Sequence, residues 1–186
     1  MKGVPYASAI GSLMYAMLYT RPDICHAVGM VSRFQSNPGQ EHWTAIKCIM
    51  KYLRRTKDYF LVYGIDNLSV VGYIDSDFQS DKDDQKSTSG MIFMLGGGAV
   101  IWKSAKQKAT ADSITEAEYL ASCEAAKEGV RLRKFFVDIE VVPDLVKDPM
   151  TLLCDNKGAI AQAKEPRANQ KNKHVERKYH LLREII

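Results

Sequence analysis

The chain has 186 residues, 46% apolar and 26% charged, with 26 basic side chains against 22 acidic ones. That is enough apolar material to bury a core and enough length for one ordinary domain plus a small addition, so disorder is not the default reading. The net charge of +4 is too small to name a partner.

Between Lys2 and Arg21 there is no charge, and Ile10, Leu13, Met14, Met17 and Leu18 make the stretch apolar. A positive start before an apolar run has the outline of a secretory signal. Gly3, Pro5, Ser8, Gly11 and Ser12 dilute the run, no small-x-small cleavage site stands out, and it is too short and mixed to span a membrane. The helical recurrence of Tyr6, Ile10, Leu13, Met14 and Met17 supports the other reading, an amphipathic helix that is buried. Thr20-Arg-Pro-Asp23 then breaks the chain and offers Thr20 or Asp23 as cap to a helix over Ile24–Phe34. Asn37-Pro-Gly39 is a turn. A third helix is expected over Glu41–Arg55, with Trp43, Ile46, Ile49, Met50 and Leu53 on one side. Lys51, Arg54, Arg55 and Lys57 gather at its C-terminal end, where the helix dipole favours cations.

Near Tyr59 the period becomes strand-like. Tyr59–Tyr63, Leu68–Ile74, Ser89–Leu95 and Ala99–Lys103 are short runs of aromatic and β-branched residues between turn signals. Gly96-Gly-Gly98 marks a hairpin and lacks the helix and lysine of a phosphate-binding loop. Ser113-Ile-Thr-Glu116 is a capping box that opens the longest helix, to about Val137. After the Pro143 loop, Met150–Cys154 reads as a strand, Lys157–Lys164 as a short helix, and a last helix begins near Lys173. The order strands, helix, strand, helix, helix predicts a mixed α/β fold. The last 26 residues hold Lys164, Arg167, Lys171, Lys173, Arg177, Lys178 and Arg183 against Glu165, Glu176 and Glu184. This is either a phosphate-facing surface or a solvated helix face. Cys25, Cys48, Cys123 and Cys154 form no C-x-x-C pair and read as small buried hydrophobes.

Four acids fall where strands meet helices: Asp75 at a strand end, Glu118 in the first turns of the long helix, Asp155 after the fourth strand, and Glu176 early in the last helix. Carboxylates forced together repel one another unless a divalent cation neutralises them, and hard oxygen donors suit magnesium or manganese. Spacing alone leaves this open, since a single acid is more often a surface residue than a ligand. Glu116 reads as a cap, and Asp77, Asp81, Asp83 and Asp84 as an exposed acidic loop.

Six blocks occur in one order: Gly72-Tyr-Ile-Asp-Ser-Asp77, Lys86-Ser-Thr-Ser-Gly90, Ile101-Trp-Lys-Ser104, Thr115-Glu-Ala-Glu-Tyr119, Cys154-Asp-Asn156 and Lys173-His-Val-Glu-Arg-Lys-Tyr-His180. This series resembles the ribonuclease H domain of copia-type retrotransposon polyproteins. Upstream, Tyr6-Ala-Ser-Ala-Ile-Gly-Ser-Leu-Met-Tyr15, Thr20-Arg-Pro-Asp-Ile24 and Asn37-Pro-Gly39 with Trp43 resemble the segment that joins it to reverse transcriptase. The resemblance implies a ribonuclease H-like mixed sheet with flanking helices over 59–186, preceded by a small helical segment over 1–58. It implies Asp75, Glu118, Asp155 and Glu176 as catalytic, metal-binding acids, with Mg2+ or Mn2+ as cofactor and an RNA–DNA hybrid as substrate. Glu176 stands where relatives usually carry aspartate, one methylene shorter. Ile74, Phe78 and Ala111-Asp112 also depart from the pattern without removing a ligand. His174 and His180 travel in the same block, for phosphate contact, product release or a plain surface role.

No Tyr-x-Asp-Asp tetrad, zinc-binding integrase pattern or aspartic-protease motif occurs, so the chain resembles one slice of a larger polyprotein. Three functions compete. The first is an intracellular metal-dependent endonuclease, in a retroelement particle or the nucleus, partnered by its parent reverse transcriptase. Similar fragments also resemble secreted RxLR-type effectors of oomycetes that act on a host-cell target. Here only Lys51-Tyr-Leu-Arg54 and His180-Leu-Leu-Arg183 approach that tetrad. The third is an inert remnant.

Overall fold

The computed structural model describes residues 3–64, 68–81, 83–140 and 149–164, which divide into two compact units. The first comprises Met1–Val62 with Trp102–Ser104. Its helices are α1 (Tyr6–Tyr19), α2 (Cys25–Ser32) and α3 (Gln40–Arg55). Tyr6, Ala9, Ile10 and Leu13 of α1 are buried with Val28, Val31, Ile46 and Ile49 in one core, so the uncharged N-terminal run is a core helix of this unit. Tyr6 keeps its hydroxyl satisfied there by donating to Val31 O at 2.7 Å.

The expected caps differ. No side chain caps α2, which follows a single 3-10 turn over Pro22–Ile24. Thr20 Oγ1 instead donates to Ala16 O, and Asp23 accepts from Arg21 and from Tyr52 Oη at 2.8 Å. Cys48 is exposed, not buried. It lies two residues after Ile46 and one before Ile49, off the face those two bury.

The second unit holds β1 (Val70–Asp77), β2 (Thr88–Leu95), β3 (Gly98–Lys106, apart from its Trp102–Ser104), α4 (Ile114–Ile139), β4 (Thr151–Leu153) and α5 (Lys157–Lys164). The sheet order is β3-β2-β1-β4, with β1 antiparallel to β2 and parallel to β4. Four strands in a mixed sheet, flanked by helices and preceded by a helical segment, are the ribonuclease H-like arrangement. Gly96 and Gly97 join β2 to β3 with φ of 56° and 79°, the two positive angles of a type I′ hairpin. Ser113 caps α4 by accepting from Glu116 N, while Glu116 reaches past the cap to accept from Asp112 N.

Tyr59–Tyr63 is not a strand. Tyr59, Phe60, Val62 and Tyr63 are exposed, and the segment joins no ladder among the described residues. Aromatic and β-branched enrichment signals a pleated, half-buried surface, and without a neighbouring strand that preference has nothing to act on. The last predicted helix and most of the basic tail lie outside the described residues.

Candidate functional site

Two adjacent parallel strands, β1 and the edge strand β4, bring two of the acids level. β1 and β4 run parallel with Tyr73 opposite Leu153. Carrying that register two residues further places Asp155 beside Asp75, at the carboxyl ends of adjacent parallel strands, where open α/β sheets bind ligands. Both residues are exposed.

Glu118 arrives from the other direction. Capping at Ser113 fixes the first turn of α4, and the helix buries Ala117, Tyr119, Leu120 and Ala121 around it. Glu118 itself is only 4% exposed. Its Oε1 accepts from Ser76 N at 3.0 Å, and the same amide also reaches Asp75 Oδ1 at 2.9 Å. Two carboxylates thus share one donor. Glu118, Cys154 and Asp155 each place a ligand atom within 4.8 Å of the others. Asp75 lies outside that group and is linked to it by the Ser76 amide it shares with Glu118 and by its place beside Asp155. Glu176, with His174 and His180, lies outside the described residues.

The electrostatics follow from this geometry. Burial pushes the Glu118 carboxyl above the usual glutamate range; the Ser76 amide opposes this, and the charges of Asp75 and Asp155 add to it. The Cys154 thiol lies 3.9 Å from Glu118 Oε2. Burial raises its pKa, the Asn156 amide opposes this, and the charges of Glu118 and Asp155 add to the rise. The group thus offers an ion two carboxylates and one thiol sulfur. Sequence reasoning placed Cys154 at a strand end but did not see it as part of this cluster. Its place beside Asp155 in the Cys154-Asp-Asn156 block was the signal that could have found it.

Away from the cluster, the acidic loop is partly neutralised. Lys106 Nζ lies 2.6 Å from Asp81 and 2.8 Å from Asp84, and both carboxyls are held below their usual range by it.

A stability test follows from Glu118. A carboxyl whose folded pKa exceeds its unfolded value keeps its proton in the folded state after the unfolded chain has lost it. Its contribution to stability is present at low pH and is lost as pH rises through the folded value. In chelator, Glu118→Gln is expected to flatten that fall and to overtake wild type near neutrality, because glutamine keeps the acceptor for Ser76 without the charge. A wild-type-minus-variant difference in urea midpoint that does not vary with pH would contradict it.

No protein-family model matches the chain. Over all 186 residues it is 45% identical to the retrovirus-related Pol polyprotein from transposon TNT 1-94 of Nicotiana tabacum, of which it spans 14%. It is 34% identical over 183 residues to the Pol polyprotein from transposon RE2 of Arabidopsis thaliana, spanning 12% of that protein. Secreted RxLR effector protein 161 of Plasmopara viticola is 47% identical over 133 residues, which are 71% of this chain and 94% of the effector. The chain belongs to the family of retrovirus-related Pol polyproteins of copia-type transposons. It corresponds to a small part of such a Pol polyprotein, about one seventh of the tobacco protein's length. Within this Pol segment, the three acids stand at the strand and helix ends described above.

Proposed function

We propose that this Pol segment hydrolyses the RNA strand of RNA–DNA hybrids, with Asp75, Glu118, Asp155 and Glu176 as the acids that hold Mg2+ or Mn2+. The observation that supports the reading most directly is the meeting of Asp75, Glu118 and Asp155 at the ends of β1 and β4, with the charges of both aspartates raising the Glu118 pKa. Divalent ions bound there would lower the pKa of an attacking water and neutralise the leaving oxygen of the phosphodiester. The protein's own part is to hold Glu118 rigidly by the Ser76 amide and to keep Asp75 and Asp155 exposed to an arriving backbone. In this reading 1–58 is a helical fragment of the connection to reverse transcriptase and 59–186 the ribonuclease H-like domain. The parent reverse transcriptase is the partner that helps hold the hybrid. The site of action is intracellular, in a retroelement particle or the nucleus. Hybrid binding by the isolated chain is then weak and salt-sensitive.

The test is cleavage of a labelled RNA–DNA hybrid by the purified chain with Mg2+, with Mn2+ and with chelator, beside duplex DNA. Metal-dependent cutting confined to the RNA strand of the hybrid is expected. A folded chain that cuts nothing under either metal, alone or with reverse transcriptase added, sinks the reading and leaves the non-catalytic ones, a secreted effector or an inert remnant.

A second reading is favoured by one finding: the Plasmopara viticola effector is matched over 94% of its length. On that reading the chain is a secreted protein built on a captured retroelement segment, without catalysis, that acts on a host-cell target. Removal of the N-terminal run near residue 20 would strip Tyr6, Ala9, Ile10 and Leu13 from the core of the helical unit. No helix among the described residues is long and apolar enough to cross a membrane. A processed product beginning near residue 20 in culture medium supports secretion; its absence from every secreted fraction removes the idea.

A further inference from the structure

Gln107 follows β3 in the run Lys106-Gln-Lys108, yet it is 3% exposed. Its backbone N–H donates to Ser87 O at 2.8 Å, which turns the side chain inward. Nε2 then lies 2.8 Å from Ser89 Oγ, 2.9 Å from Ala117 O and 3.3 Å from Ser76 Oγ. Ser76, Ser89 and Ala117 are all buried. An amide nitrogen has two hydrogens, so one is shared among the three acceptors. The Ala117 carbonyl only accepts, and it therefore fixes which end of the amide faces it. A flipped amide would set two oxygens against each other. In the orientation that remains, Oε1 is buried without a hydrogen-bond partner among the described residues.

Leaving a buried acceptor unpaired is unfavourable, so the contacts made by Nε2 must be worth keeping. Their location says what for. Ser76 follows Asp75 in the chain, and its amide is the donor to Glu118 Oε1. Ala117 precedes Glu118. One side chain thus ties the C-terminal end of β1 to the first turns of α4, each one residue from a carboxylate.

We infer that Gln107 is a positioning residue that sets the spacing of Asp75 and Glu118, and through it the affinity of the site for a divalent ion. This rests on the metal reading proposed above. Outer-shell partners of ligating carboxylates typically change metal affinity by about 10–100-fold when removed.

The test is a Mn2+ titration of the full chain without nucleic acid, with free Mn2+ followed by electron paramagnetic resonance. Gln107→Met, which keeps length and removes the amide, is expected to bind Mn2+ about 10–100-fold more weakly than wild type. Phe93→Leu, in the apolar core of the same sheet, is expected to lower the melting temperature and leave Mn2+ affinity unchanged. Should Gln107→Met fail to fold, Gln107→Asn keeps the amide but withdraws it by one methylene and carries the same expectation. Wild-type affinity in the folded Gln107 variant, or equal weakening in Phe93→Leu at a matched loss of melting temperature, overturns the inference alone. A wild-type titration that Asp75→Asn does not alter overturns the metal reading and the inference together.

Discussion

Replacing Asp75 by asparagine is expected to slow metal-dependent hybrid cleavage by about a thousandfold, equivalent to about 4 kcal/mol of barrier, while barely altering stability. The side chain is exposed, and its one hydrogen bond given by the structure is from Ser76 N to Oδ1, an acceptor that asparagine retains. The fold thus loses a charge and little else, and exposed changes of this kind usually fall within about 0.5 kcal/mol. The site loses more. An ion shared by Asp75, Glu118 and Asp155 is attracted by one carboxylate fewer, and higher Mn2+ or Mg2+ should recover part of the rate. The Asp75 charge also raises the Glu118 pKa, so its removal moves that pKa back toward the ordinary range. Cleavage within a few-fold of wild type would remove Asp75 from the chemistry.

Phe93→Ala is expected to destabilise the second unit by about 3–5 kcal/mol, a large share of the 5–15 kcal/mol that typically holds a domain together. The ring is fully buried on β2. It packs with Val70, Ile74, Ala121, Ala125 and Leu132, between the sheet and α4. Two glycines make room for it. A Cβ at Gly72 would come within 2.8 Å of Phe93 Cε1 and 2.6 Å of Leu152 Cδ2, and one at Gly129 within 3.6 Å of the ring. A space shaped by backbone on two sides cannot collapse easily when the ring is removed, so the cavity term is retained. A urea midpoint close to wild type with an unchanged slope would show that α4 closes onto the sheet after all.

Both predictions depend on features of different visibility in the sequence. What repeats locally was legible. The alternation Val70, Gly72, Ile74, Ser76 buried against Tyr73, Asp75, Asp77 exposed is a period-2 pattern that any sheet context would preserve. The paired glycines of the β2–β3 hairpin and the Ser113 cap act within four residues, so their geometry is carried by the chain segment itself. Asp75 and Asp155 were visible as strand-end acids for the same reason, and the six ordered blocks carried the family resemblance.

Elsewhere, neighbours distant in sequence decided. Tyr59–Tyr63 has the composition of a strand, and no strand among the described residues pairs with it. Cys48 sits inside an apolar helical run and points away from the face that is buried. Thr20 and Asp23 are capping residue types, but Arg21 and Tyr52 compete for the aspartate and Ala16 O takes the threonine hydroxyl. Cys154 and Gln107 are the furthest from view. A glutamine between two lysines reads as exposed, and only the meeting of β1, β2 and α4 supplies three buried acceptors for its amide. By itself the sequence determined the family, the order of the elements from β1 to α5, and the places of Asp75, Glu118 and Asp155 along the chain, because each is written in short-range pattern. The tertiary structure alone decided that Glu118 is buried beside two like charges, that one amide serves two carboxylates, and that Gln107 links their supports. Burial and charge coupling are properties of what is brought near, and chain spacing does not contain them.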